Sequence, residues 1–523
     1  MGERRIRGKK YGKKYEKEIA VMLFGLLFIG IWAICAVHSQ NNLPAGKMLL
    51  LSPAAAAGLL LVYLLLCRAE AFLKKNRRLL FWGLLLVYAV LLFFLADSVG
   101  GIPQHDQASV LAGAQYFAGL TGEMNWQYFA RCNNNVIPAF LLGQIYHLAG
   151  LFHLENPFTL VILCNVLLVM LQIFCVFQVL LLLSDGRCAA GFMGMLLMMG
   201  YLPVIGHADS GYTDMMSFAA AMLALLLWLT GLRKKKALWL IAAAVVWGVG
   251  FLVKATVLIS MIAAVLLTTG MLCRRHLRAL AAEAGLCLLT VCIILGGSLF
   301  TASMPSEKLR DLYGVPTVSY WMGIGLKGNG GYSDNQEYER ELAAVTGMEQ
   351  KKEASWQYIR DNRGMLLDTD HNIRKLRFNF AAGNLGTDDF AHTAVRESFW
   401  QQCVSSEGKY FWRFSMVTTI YQYAIYLLIG AGALYDGISG LRRSRAVQGG
   451  VLSADAMSAD GPDLPAGSTR DNLPSPDFIR HVLYLSAFGF VLYLMLFEAN
   501  NRQLFNQLGI LTCCAMAGWG TKS

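Results

Sequence analysis

The chain has 523 residues, of which 56% are hydrophobic and 15% are charged, and its mean hydropathy is +0.46. A soluble domain carries about 25% charged residues and no series of apolar runs of membrane-crossing length, so the composition excludes one and indicates a polytopic membrane protein. Outer-membrane barrels alternate polar and apolar residues and are excluded too. The net charge of +11 is assigned to basic cytoplasmic loops, not to nucleic-acid binding.

The N-terminal 18 residues hold eight Lys/Arg and no small-residue cleavage site, which predicts a retained cytoplasmic end. Twelve apolar spans follow, each near the ~20 residues that cross a hydrocarbon core. They lie at about 19–37, 48–66, 79–96, 157–183, 188–206, 212–231, 237–253, 255–273, 279–302, 414–436, 478–496 and 503–520. The basic loops are expected on the cytoplasmic side; these are residues 67–78, 233–236, 273–278 and 441–445.

Residues 136–152 resemble a thirteenth span. If they crossed the membrane, the basic loop at 233–236 would face outward, against the positive-inside rule. The segment contains Pro138, Gln144 and His147, and we predict that it lies in the outer interface. This predicts both termini in the cytoplasm.

Four regions follow from this topology. Residues 1–78 form the cytoplasmic N-terminus with two additional spans, and 79–302 form the core membrane module with a first outer loop at 97–156. Residues 303–413 are too polar to be buried in the membrane. We predict that they form an outer cap with helices near 334–363 and 389–403. Residues 414–523 hold the last spans and a cytoplasmic linker at 437–476, whose Gly/Ser/Ala/Asp/Pro-rich part is typical of a flexible segment.

Most cysteines lie within apolar spans and are expected to be packing residues. Cys132 and Cys403 are the two placed in outer loops. A disulfide between them is one possibility, which spacing alone does not establish.

Ionisable residues at membrane boundaries are costly and therefore candidates for function. The topology places several on the outer face: Asp106, Asp209, Asp214, Lys254, Glu498 and Arg502. Each has a simpler explanation, since Asp106 and Asp214 could start helices and Glu498 with Arg502 could be a snorkelling ion pair. Together, beneath a polar cap, they suit a substrate with a sugar, a phosphate and a lipid tail.

The order of these motifs resembles the C-type integral-membrane glycosyltransferases, which include protein O-mannosyltransferases and lipid A aminoarabinose transferases, and most closely a family-39-like bacterial branch. The resemblance covers residues 79–523. It rests on Asp106 in HDQASV, the helix at 136–152, Asn134 and Asn135 in RCNNNVIP, Tyr212 and Asp214 in GYTD, Lys254 in KAT, Tyr320, Trp321 and Tyr332 in YWMGIGLKGNGGY, and Glu498 and Arg502 in EANNR. Cys132, Ala255 and Gln503 depart from the family pattern.

The resemblance implies an all-α polytopic fold of about 12 transmembrane helices, with extracytoplasmic juxtamembrane helices and a mostly helical outer cap. It implies transfer of a sugar from a polyprenyl-phosphate-linked donor to an unknown acceptor hydroxyl at the outer face of the plasma membrane. Asp106 would be the general base, Asp214 would orient the acceptor or help to bind a metal, and Lys254 and Arg502 would bind the donor phosphate. The expected substrate-binding residues are Asn134, Asn135, Tyr212, Tyr320, Trp321, Tyr332 and Glu498. Whether Mg²⁺ or Mn²⁺ takes part stays open, since hard oxygen ligands could hold either.

Two alternatives stay open. A transporter or lipid-linked-sugar flippase would also need many spans and outer charges, but it would line a path to both sides, and the cytoplasmic half of the spans is expected to be nearly free of ionisable residues. A non-catalytic family member would explain the departures at Cys132, Ala255 and Gln503.

Overall fold

The structure is a computed structural model that describes residues 2–38, 44–272, 277–389, 395, 397–454 and 474–519. Within these ranges the regular elements are all α- or 3₁₀-helices. Among the residues that the structure describes, eight helices are long and apolar enough to cross a membrane, and three shorter apolar helices accompany them. The all-α polytopic architecture is therefore confirmed, while the count of twelve crossings stays a prediction.

The N-terminal part and the first loop are both helical. The N-terminal part consists of α1 (Gly2–Val37), α2 (Ala45–Arg68), the short α3 (Glu70–Lys75) and α4 (Arg77–Asp97). The first loop folds into α5 (His105–Phe117), α6 (Trp126–Arg131) and α7 (Val136–Leu151).

Helix α7 is the segment predicted to lie in the interface. It has 16 residues and is not among the helices long enough to cross. It packs closely on α5 because Gly143 has no side chain: a Cβ there would lie 2.7 Å from the Phe117 Cβ and 3.0 Å from the Ala114 carbonyl oxygen. The packing shows that α7 is held against α5 within the first loop. The position of α7 relative to the bilayer stays a prediction.

The central part runs from α8 to α15. Asn156 caps α8 by accepting the Phe158 N–H, and Pro157 takes the first helical position, where its missing N–H costs nothing. The elements are α8 (Pro157–Leu183), α9 (Cys188–Met199), α10 (Val204–Ala208), α11 (Thr213–Met216), α12 (Ala220–Lys234), α13 (Ala237–Val253), a 3₁₀ turn (Ala255–Val257), α14 (Leu258–Leu272) and α15 (Leu277–Ser303).

The cap consists of short helices around a small core. They are α16 (Glu307–Tyr313), α17 (Thr317–Ile324), α18 (Gln336–Ala343), α19 (Met348–Asp361), α20 (Thr369–Phe380) and α21 (Phe399–Val404). Helices α18 and α19 match the predicted helix near 334–363. Near 389–403 the described residues show α21, and residues 390–394 and 396 lie outside the described ranges. The sequence missed α16, α17 and α20.

The C-terminal part consists of α22 (Phe411–Ala454), α23 (Pro476–Leu496), a 3₁₀ turn (Asn501–Gln507) and α24 (Leu508–Ala517). The structure places residues 437–454 in α22 rather than in the predicted linker, and residues 455–473 lie outside the described ranges. We call the end that carries the first loop and the cap the cap face, and the other end the opposite face.

The opposite half of the bundle contains buried ionisable groups, which corrects the expectation that it is nearly free of them. Nη1 of Arg480 donates to both Asp436 carboxylate oxygens, at 3.0 and 2.8 Å, and the two side chains are only 4% and 5% exposed. Glu283 accepts a hydrogen bond of 3.1 Å from the Trp228 indole. Sequence reasoning passed over these residues because each lies near the end of a long apolar run, where a charged residue is ordinarily exposed.

Candidate functional site

The centre of the site is a buried carboxylate held by two cations. Asp214 lies on α11, and its side chain is fully buried. One of its oxygens, Oδ1, forms an ion pair with Lys254 Nζ, and Oδ2 lies 3.3 Å from Arg502 Nε. Lys254 stands in extended conformation between the end of α13 and the next 3₁₀ turn, which turns its side chain out of the helix toward Asp214. Two cations face one carboxylate, so the cluster keeps a net positive charge.

The turn that carries Arg502 is fixed by amides. The side chain of Asn500 accepts the Arg502 backbone N–H at 3.0 Å. The Asn506 amide oxygen accepts from Lys254 Nζ at 3.2 Å, and its nitrogen donates to the Asp214 carbonyl at 2.6 Å. Asn506 lies four residues after Arg502, so the same turn holds both cations against Asp214.

Tyr212 joins this cluster to Asp106. Its hydroxyl donates to Asp106 Oδ2 at 3.1 Å, and the Arg502 guanidinium carbon lies 5.1 Å from the centre of the Tyr212 ring, a cation–π distance. The residues predicted as base and phosphate ligands are therefore brought together around one tyrosine. Asp106 is partly exposed, whereas Asp214 is fully buried.

Asp209 holds the segment of chain that leads into α5 and Asp106. Its carboxylate Oδ2 accepts the Gly101 N–H at 2.8 Å, which holds the chain just before α5. Burial raises the pKa of Asp209 to about 8. Asp209 therefore positions the first loop and is not part of the cation cluster.

Glu498 lies in the electrostatic field of the same groups. Burial raises the pKa of its carboxyl to about 7, although Arg502 and Lys254 act in the opposite direction. Near neutral pH this carboxyl can therefore hold a proton.

His207 packs against the turn that carries Arg502. It stacks on Phe505, with ring centres 3.8 Å apart, and its Nε2 lies 2.9 Å from the Leu385 carbonyl oxygen. Burial lowers the pKa of His207 to about 4, so the ring is neutral. The next residue, Gly386, has φ +71°, and a Cβ there would lie 2.9 Å from the Arg502 Cβ. This close approach requires glycine.

The predicted substrate-binding residues outside this cluster lie in two places, within the first loop and where the first loop meets the cap. Asn135 donates to the Tyr128 hydroxyl at 2.5 Å, and Asn134 donates to the Asn135 side chain at 3.0 Å, so both amides bind within the first loop. Tyr320 and Tyr332 meet Arg131 at the boundary between the first loop and the cap. Trp321 packs edge-on against Tyr320, with ring centres 4.8 Å apart, as part of the cap.

The cap is joined to the chain around Glu498 and Arg502. The Ala499 N–H donates to the Gly330 carbonyl at 2.8 Å, and the Asn500 N–H donates to Asn379 Oδ1 at 2.9 Å. These bonds couple the cap to the turn that holds Arg502.

Sequence reasoning missed several contributors: Arg131, His207, Asn506 and Glu339. Arg131 is the first residue of the string RCNNNVIP, and His207 is the first residue of the segment that holds Asp209 and Asp214. Both signals lay next to motifs that were already identified. Asn506 and Glu339 had no comparable signal.

A divalent cation does not fit Asp214, because both of its oxygens face cations that would repel a metal ion. Among the residues that the structure describes, no group of three or more His, Cys, Asp or Glu could hold a metal. Cys132 and Cys403 are both free thiols, so the disulfide considered from the sequence is not formed.

The fold and the composition define the class: a multi-pass, all-helical integral membrane protein. Within this class the chain belongs to a family described as conserved hypothetical integral membrane proteins, whose model matches residues 15–432. The match covers Asp106, Asp214, Lys254 and the cap and ends before Glu498 and Arg502. No curated protein matches the chain.

Proposed function

We propose that the protein is a membrane glycosyltransferase, which moves a sugar from a polyprenyl-phosphate-linked donor to an acceptor hydroxyl at the outer face of the membrane. The observation that carries the proposal is the continuous contact from Asp106 through Tyr212 to Arg502, Asp214 and Lys254. It supplies an accessible carboxylate and a positive cluster around one side chain, beneath a folded cap.

In this reaction the Asp106 carboxylate takes the proton of the acceptor hydroxyl. The acceptor oxygen forms a bond to the anomeric carbon of the sugar as the bond from that carbon to the lipid phosphate oxygen breaks. The phosphate leaves with the electron pair, and the positive charge of Lys254 and Arg502 stabilises it. A phosphate is a good leaving group, so the step needs no strong general acid.

Asp214 has a different role in this scheme from the one expected from the sequence. Because its side chain is fully buried and held by both cations, it orients Lys254 and Arg502 rather than meeting the acceptor. It is a positioning residue.

The test is a transfer assay with purified full-length protein and a panel of polyprenyl-phosphate sugars. Asp106→Asn should lower the rate by a factor of roughly 10² to 10⁴, the usual contribution of a general base. Asp370→Asn, on the exposed surface of α20, is the matched control and should transfer at the wild-type rate. If the wild type transfers none of the donors, the proposal fails and a non-catalytic role is favoured.

A second candidate is a lipid-linked-sugar flippase or another transporter. The buried Asp436–Arg480 pair in the opposite half of the bundle favours it, because a transport path needs polar groups on both sides. Movement of a labelled polyprenyl-phosphate sugar across reconstituted vesicles, lost in Asp436→Asn and kept in Asp106→Asn, would support this candidate instead.

A further inference from the structure

Three hydrogen-bond donors converge on one carboxylate oxygen at the edge of the site. Oε1 of Glu339 accepts from the Tyr332 hydroxyl at 2.6 Å and from the Tyr320 hydroxyl at 3.3 Å. The same oxygen forms an ion pair with Nη2 of Arg131. The Arg131 guanidinium also donates to the Tyr320 hydroxyl at 2.9 Å and lies 5.7 Å from the centre of the Tyr332 ring.

This network joins two parts of the chain that are far apart in sequence. Arg131 ends α6 of the first loop, whereas Tyr320, Tyr332 and Glu339 belong to the cap. The Arg131 and Glu339 side chains are 37% and 21% exposed, so dissolved ligands can reach them. The Asp214 side chain, by contrast, is fully buried and cannot be displaced without opening the bundle.

The converging donors are the kind that bind phosphate. A guanidinium together with hydroxyl donors around a single oxygen makes charge-assisted hydrogen bonds to phosphate oxygens. Tyr332 follows a glycine-rich turn in which Gly328 and Gly330 have φ of +59° and +82°, a backbone that only glycine adopts readily. We propose that Arg131, Tyr320 and Tyr332 form a phosphate-binding site, and that the Glu339 carboxylate occupies it when no ligand is bound.

Two substitutions distinguish a phosphate site occupied by Glu339 from an ion pair that only holds the cap: removal of Glu339 and removal of Arg131. If Glu339 only holds the cap in place, removing either Glu339 or Arg131 loosens the same contact, and neither change improves phosphate binding. If Glu339 occupies the site, removing its charge frees the donors and improves binding, while removing Arg131 weakens it.

Phosphate binding to the purified full-length protein in detergent would be measured by titration calorimetry with two probes, inorganic phosphate and geranylgeranyl phosphate. Glu339→Gln should bind on the order of tenfold more tightly than the wild type, since the internal competitor no longer reduces the free fraction of the site. Arg131→Gln should bind about tenfold to a hundredfold more weakly, the usual effect of losing a charged hydrogen-bond partner. Tyr332→Phe removes one donor without changing the charge and should weaken binding severalfold.

The Lys327–Glu337 ion pair is the control, because it also joins a cation to a carboxylate, lies within the cap and is 48% and 60% exposed. Lys327→Gln and Glu337→Gln should leave phosphate binding unchanged. Inorganic phosphate binding as tightly as geranylgeranyl phosphate indicates a soluble phosphate ligand, and preference for the second probe indicates a lipid phosphate.

Binding by Glu339→Gln that is no tighter than binding by the wild type, or no binding of either probe by both proteins, would overturn the proposal. Tyr332→Phe keeps the test decisive if a charge variant does not fold. The readout is the difference in phosphate binding between variants that all keep Lys254 and Arg502, and not sugar transfer, so this proposal and the proposed function can fail independently.

Discussion

At the scale of the residue, Glu498 is the carboxyl group beside the cation cluster whose protonation changes near neutral pH. Burial raises its pKa from 4.5 to about 7, against the attraction of Arg502, Lys254 and Lys375 and with the repulsion of Asp106. The folded protein therefore binds this proton more tightly than the unfolded chain does between these two pH values. By linkage, the stabilisation is complete below about pH 4.5 and is lost as the pH rises to about 7.

Glu498→Gln should reduce the loss of stability between pH 4.5 and 7 by the part that Glu498 contributes, because an amide does not titrate. Asp209, whose pKa burial raises to about 8, contributes equally in both proteins. The measurement is the thermal unfolding midpoint of the detergent-solubilised protein at several pH values. Glu349→Gln, whose side chain is 84% exposed in the wild type, should keep the wild-type profile. Lys375 does not confuse the result: burial lowers its pKa from 10.5 to about 7, so its effect falls above this window. A variant profile that still falls in parallel with the wild type would contradict the prediction.

Gly386 provides a second test at this scale. Its φ of +71° and the short distance from its Cβ position to the Arg502 Cβ predict that Gly386→Ala costs more than about 1 kcal/mol in the free energy of unfolding. Gly364 has open space around its Cβ position, and Gly364→Ala should be neutral or slightly stabilising. Denaturation in detergent micelles measures both, and equal effects at the two positions would contradict the explanation.

At the scale of the element, α22 and α23 are joined by the Asp436–Arg480 pair, whose side chains are 5% and 4% exposed. Arg480→Met leaves the Asp436 carboxylate buried without its counterion and should cost about 3–5 kcal/mol in the free energy of unfolding. Asp436→Asn should cost less, because Nη1 of Arg480 also lies 3.2 Å from Asp477 Oδ1 and keeps that partner.

The double variant Asp436→Leu with Arg480→Met should recover most of that loss, because neither charge then remains buried. Chemical denaturation of the single and double variants gives the comparison. The exposed Lys327–Glu337 pair serves as the control and should contribute less than about 1 kcal/mol. A double variant as unstable as the singles would show that the charges are needed for something other than pairing.

The same elements show what sequence could predict. The long apolar helices were predicted because an uninterrupted run of about 20 apolar residues is the length of helix that crosses a bilayer. The end of α22 was not, since a helix that extends out of the membrane has no apolar signal there. The cap helices α16 and α17 were missed because helices of seven and eight residues are too short to show a clear period. They are held by tertiary contacts such as the Lys351 Nζ bonds to the Leu312 and Gly314 carbonyls, at 2.7 and 3.0 Å.

At the scale of the whole molecule, topology predicted that Asp106, Asp214, Lys254 and Arg502 lie at one end of the bundle, and the structure brings them together. Sidedness follows from charge counting along the chain. The pairing inside the cluster does not, because which cation meets which carboxylate depends on how α11, α13 and the last 3₁₀ turn pack. Asp214 was expected to orient the acceptor or to help bind a metal, and it contacts Lys254 and Arg502 instead.

The sidedness of the membrane domain gives the last prediction. His147 is exposed on α7 and Asp370 is exposed on the cap, whereas Lys236 is exposed at the junction of α12 and α13 on the opposite face. If the basic loop at 233–236 is cytoplasmic, a membrane-impermeant maleimide should label His147→Cys and Asp370→Cys in intact cells. It should label Lys236→Cys only after the membrane is opened.

The wild type measures the background from its own cysteines, of which Cys35, Cys175, Cys188, Cys403, Cys513 and Cys514 are buried. Labelling of Asp370→Cys without labelling of His147→Cys in intact cells would place α7 away from the outer surface and would remove the parity argument for both termini. Labelling of Lys236→Cys in intact cells would show that the loop at 233–236 faces outward, so that the orientation of the protein in the membrane is opposite to the predicted one. Asp106 would then face the cytoplasm, where a donor-dependent transfer at the outer surface could not use it.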